Sequence, residues 1–151
     1  MSDYPLASEA ITLKKELEKG LNAYQSHFNG AFGPFPAVKM YRVLSALCTD
    51  YTDNLHHDEL RSLSWIVRVG KDLSRSLPEC AAWFQMVNKS GTGRREDLLT
   101  VAGMMRCAAQ AIAKSSKIAT DNKDKVQIVQ GREITELVNT SVSTLTGKQS
   151  H

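Results

Sequence analysis

A chain of 151 residues with 42% hydrophobic and 23% charged side chains can bury one core and is too apolar to remain disordered. A net charge of +3 does not by itself commit it to nucleic acid, which would need the cations gathered on one face. No apolar run approaches the roughly 20 residues that span a bilayer, and the opening residues lack the basic-then-apolar order of a secretory leader, so no membrane role is expected.

The first helix is predicted over about 8–28, where Ala10, Leu13, Leu17, Tyr24 and Phe28 recur at a spacing of three or four, with Leu21 beside them. Lys14, Lys15, Glu18 and Lys19 fill its other side, and Ser8 can cap it. The stretch NGAFGPFP, 29–36, is predicted to be a loop. Its two prolines fix φ and push the residues before them toward extended geometry. Phe32 and Phe35 either pin this loop to the core or form an aromatic lip that grips a partner. A second helix, about 37–51, aligns Met40, Tyr41, Leu44, Leu47, Cys48 and Tyr51, and TDNLHHDE breaks it.

The third helix is expected from near Asp58, read as its N-cap, to Leu77, with Leu60, Leu63, Ile66, Val67, Leu73 and Leu77 as its stripe. Pro78 then ends it or starts a fourth helix at 79–88 carrying Ala81, Trp83, Phe84 and Val87. The fifth, about 94–118, turns Leu98, Val101, Ala102, Met105, Ala109 and Ile112 inward. Its small residues, Ala102, Gly103, Ala108, Ala109 and Ala113, would let a neighbour approach closely, which suggests a central element. TDNKDK breaks the pattern again. The segment 125–138 reads as helix or as a hairpin turning at Gly131, and helix is preferred because Leu137, Val138, Val142 and Leu145 return at helical spacing.

Few stretches invite chemistry. SGTGRR, 90–95, offers glycine-freed amides ahead of a helix, as an anion cradle would. It lacks the GxxxxGK order and the preceding strand of a P-loop, and Glu96 and Asp97 already answer the helix dipole. A helix–helix turn is the better reading, with Gly91 closing one helix and Thr92 or Gly93 capping the next. His56 and His57 are adjacent and diverge, whereas a helical metal pair needs ligands four apart. Cys48, Cys80 and Cys107 are odd in number, scattered and set among apolar residues, so they read as buried hydrophobes in a cytoplasmic protein. No GxSxG-type nucleophile appears. Hence no catalytic residue, no cofactor and no metal are assigned, and the chain is not expected to be an enzyme.

The informative pattern lies on the third helix. Arg61, Arg68 and Arg75 recur every seventh residue, a row with about 10 Å between members. The row points away from the leucine stripe, with Lys71 nearby, Trp65 on the adjoining flank and Asp72 interrupting it. Such a row suits phosphates or an acidic protein helix.

These expectations give an all-α fold, a compact single-domain bundle of five or six helices, with short frayed ends at about 1–6 and 147–151. The expected function is a small non-enzymatic interaction protein, an inhibitor, adaptor or accessory factor, that binds a protein partner. Arg61, Trp65, Arg68, Arg75, Arg94, Arg95, Phe32 and Phe35 would make the contact. The alternative is a nucleic-acid-binding or coat-type structural subunit. Self-association into a homo-oligomer is also open, because Val43, Trp65, Val69 and Met104 fall off the main stripes and could form one exposed patch.

Overall fold

The structure is a computed structural model that describes residues 5–28, 35–54 and 59–131. Four long helices carry most of them: α1 (Pro5–Phe28), α2 (Phe35–Asn54), α3 (Glu59–Ser90) and α4 (Arg95–Asp121). A fifth, α5, occupies 123–131, and there is no strand among the described residues. The all-α expectation holds.

Ion pairs and close packing fix the directions. Lys39, near the start of α2, pairs with Glu79 late in α3 at 2.8 Å. Asp50, near the end of α2, meets Arg68 earlier in α3 at 2.6 Å, so α2 and α3 are antiparallel. Gly70 faces Ser115, while Trp83 and Phe84 pack on Val101, so α3 and α4 are antiparallel too. Glu16 bonds Lys114 at 3.3 Å and Tyr24 covers Gly103, which opposes α1 to α4. The helices therefore alternate up and down around a four-helix bundle in which α1, α2, α3 and α4 are neighbours in that cyclic order. Contact across the bundle joins α1 to α3, and α3 packs most extensively on α4.

The core follows from the apolar periodicity of these helices. Ala10, Leu13 and Leu17 of α1, and Met40, Leu44 and Leu47 of α2, are almost fully buried. They meet Ile66, Val69 and Leu73 of α3 and Met104, Ala108 and Ala111 of α4. Each such aliphatic side chain contributes about 1.5–3 kcal/mol relative to exposure. A smaller cluster at one end joins Leu6, Leu63, Val67 and Val129.

Several expectations are corrected. Pro78 neither ends α3 nor starts a helix; it lies inside one continuous helix of 32 residues. An interior proline costs about 3 kcal/mol, because it withholds a donor from the carbonyl four residues back. Pro78 and Ser74 are both exposed, so water can serve that carbonyl, while Leu73, Ser76 and Cys80 are buried on the other side and hold the helix together. Phe35 and Pro36 belong to the start of α2 rather than to a loop, a position proline tolerates.

The buried face of α4 is turned by about a quarter of a revolution from the expected one. Val101, Gly103, Met104, Ala108, Ala111 and Ser115 point inward, whereas Ala109 is exposed and Leu98, Ala102, Met105 and Ile112 are half-buried. Small residues face in because α1 and α3 press close there. A Cβ on Gly70 would come within 2.6 Å of Ser115 Oγ, and one on Gly20 within 2.9 Å of Cys107 Sγ. Nor is α4 the hub: α1 and α3 each pack on the other three long helices, while α2 and α4 share no substantial contact.

The break expected at 120–125 shrinks to Asn122. Its amide and its Nδ2 both donate to the Ile118 carbonyl, at 3.1 and 2.8 Å, and its own carbonyl accepts from Val126 at 2.9 Å. The helix then resumes as α5, tied to α3 by Lys125–Glu59 at 2.9 Å. Gly131 lies in this helix, so no hairpin turns there; 132–138 lie outside the described residues.

Candidate interaction surface

On α3, the heptad spacing does what geometry requires: Arg61, Arg68 and Arg75 are all exposed on the side away from the core. The middle member is not idle. Arg68 Nη1 donates to Asp50 at 2.6 Å and its Nε to Asp72 at 3.4 Å. These two carboxylates split the row into a segment at Arg61 and another at Arg75.

Trp65 does not belong to this surface. It is 3% exposed, and its Nε1 donates to the Leu47 carbonyl at 3.0 Å. The flank beside the arginines is covered by α2, so the indole is a core residue. The self-association patch dissolves for the same reason. Trp65, Val69 and Met104 are buried, and Val43 packs half-buried against the core.

Arg94 and Arg95 are exposed, but they stand beyond the end of α3, a helix about 48 Å long, whereas Arg61 stands near its start. The structure does not gather them with the row. Phe32, and the side chain of Phe35, lie outside the described residues, as do His56, His57 and the proposed cap Asp58.

The SGTGRR stretch is a helix–helix connection. Gly91 takes φ +70°, the left-handed conformation that closes a helix at little cost only in glycine. Ser90 Oγ donates to the Val87 carbonyl at 2.8 Å and contacts Thr92 Oγ1 at 2.7 Å, and the Thr92 amide points at Ser90 Oγ. The Ser90 hydroxyl and the Thr92 amide are thus engaged within the turn. Arg94, not Thr92 or Gly93, caps α4: its backbone is extended and its carbonyl accepts from Leu98 at 3.0 Å.

Two open grooves flank α4. Between α1 and α4, a groove of about 300 Å³ is lined by Glu9, Lys114, Lys117 and Asp121, whose charges balance. Between α3 and α4, a groove of about 420 Å³ is lined by Val67, Gly70, Lys71, Ser74 and Arg75 on one wall and by Ser115, Ser116 and Ala119 on the other. No carboxylate is among the residues that line it. Ser115 Oγ donates to the Ile112 carbonyl at 2.9 Å, and no histidine or acid lines the groove to activate Ser74 or Ser116 as a nucleophile. This groove was not legible in the sequence, because its two walls come from separate helices; the row that borders it was visible as a heptad.

No three His, Cys, Asp or Glu side chains come together among the described residues in a way that could hold a metal ion. Cys48 and Cys80 are free and buried. Burial, then the negative charge of Glu18, pushes the Cys48 thiol up to about 11; burial, then Glu79, does the same for Cys80. Cys107 is half-buried, and burial raises its thiol as well. At pH 8, alkylation of Cys48 and Cys80 by iodoacetamide is expected to be slow in the folded chain and fast in urea; equal rates in both would contradict their burial. Because the folded thiols bind protons more tightly than unfolded ones, their contribution to stability is intact below pH 9 and declines as pH rises from 9 toward 11.

None of the described helices is long and apolar enough to cross a membrane. Comparison with protein-family models, with curated proteins and with solved structures finds no match to this chain.

Proposed function

We propose that this chain is a small non-enzymatic interaction protein that binds an acidic macromolecular partner along the exposed side of α3. The observation that carries the reading is the arginine row, exposed on a rigid helix and bordered by a cation-rimmed open groove. Ligand pockets of enzymes enclose most of their ligand and converge several polar groups on it. The α3–α4 groove is open and offers hydroxyls without a base. Within the row, Arg68 is already held by Asp50 and Asp72.

The same two carboxylates weigh against the nucleic-acid or coat-type alternative. A phosphate backbone running along α3 would pass them at the centre of the row, where like charges repel.

The test is the double charge reversal Arg61→Glu/Arg75→Glu, both at exposed positions. Tagged wild-type and variant chains are used to capture proteins from extracts of the source cells, and the captured sets are compared by mass spectrometry. Proteins that wild type retains and the variant loses, at an unchanged melting temperature, are the expected result. Identical captured sets would remove this face. A labelled oligonucleotide that binds wild type at low salt, with affinity falling steeply as salt is raised, would favour the alternative.

A further inference from the structure

We draw no further inference here: the strongest candidate, the open trough between α3 and α4 bordered by Lys71 and Arg75, adjoins the arginine row already described, and nothing in the structure shows what covers it.

Discussion

Trp65→Ala is expected to destabilise the fold by about 3–5 kcal/mol, the range for removing a large buried aromatic side chain. The indole is 3% exposed among Leu44, Leu47 and Ile66 of the core, and its Nε1–H is satisfied by the Leu47 carbonyl. Truncation leaves a cavity between α2 and α3 and removes a hydrogen bond with a net value of about 1 kcal/mol. Trp65→Phe separates the two effects: most of the buried area stays and only part of the loss is expected. For a chain of this size, each kcal/mol lowers the melting temperature by roughly 2–4 °C, so Trp65→Ala should melt about 10 °C below wild type. Urea denaturation followed by circular dichroism is the direct measurement. A change under about 1 kcal/mol would return Trp65 to the surface. The contrast with Arg61→Glu, at an exposed position, distinguishes a core residue from a contact residue.

The second large effect is expected at Gly103. The phenol of Tyr24 lies where a Cβ would be, so any side chain at position 103 drives α1 and α4 apart or forces the ring from its seat. Gly103→Val is expected to cost about 1–3 kcal/mol or more, as overpacking of a close helix crossing does. Tyr24 is half-buried and its ring can be exchanged, so Gly103→Ala combined with Tyr24→Leu should be less destabilised than the sum of the two single changes. Strict additivity would mean that the two residues do not meet. Gly91→Ala provides the comparison. Nothing stands within 4 Å of its Cβ, and only the φ of +70° opposes it, a penalty of about 1 kcal/mol.

These two sites mark where the sequence could and could not be read. The stripes of α1 and α2 were legible because Leu13, Leu17, Leu44 and Leu47 are large, apolar and regularly spaced. The inner face of α4 was legible only in part: Gly103 and Ala108 were read as room for a neighbour, but they and Ala111 and Ser115 carry too little hydrophobic signal to set the direction of the buried face. They face inward for the closeness they permit, a property of the pair of helices and not of either one. Trp65 was misread because the covered width of α3 depends on where α2 and α4 fall. Pro78 was misread because its local penalty is visible in sequence while the burial of Leu73 and Cys80 beside it is not.

At the surface, the arginine row was legible, since a heptad fixes a direction without reference to any neighbour. The hold of Asp50 on Arg68 was not, nor was the trough, because each needs two helices placed side by side.

The unbroken course of α3 has one more consequence. Arg61 and Arg75 are mounted about 21 Å apart on a single rod that three other helices brace. A visitor docking there meets a ruler set in advance, and the backbone beneath it has almost no freedom left to surrender. The ordering entropy that weakens association through loops is therefore largely absent, and its saving should show as a longer residence time more than as faster capture.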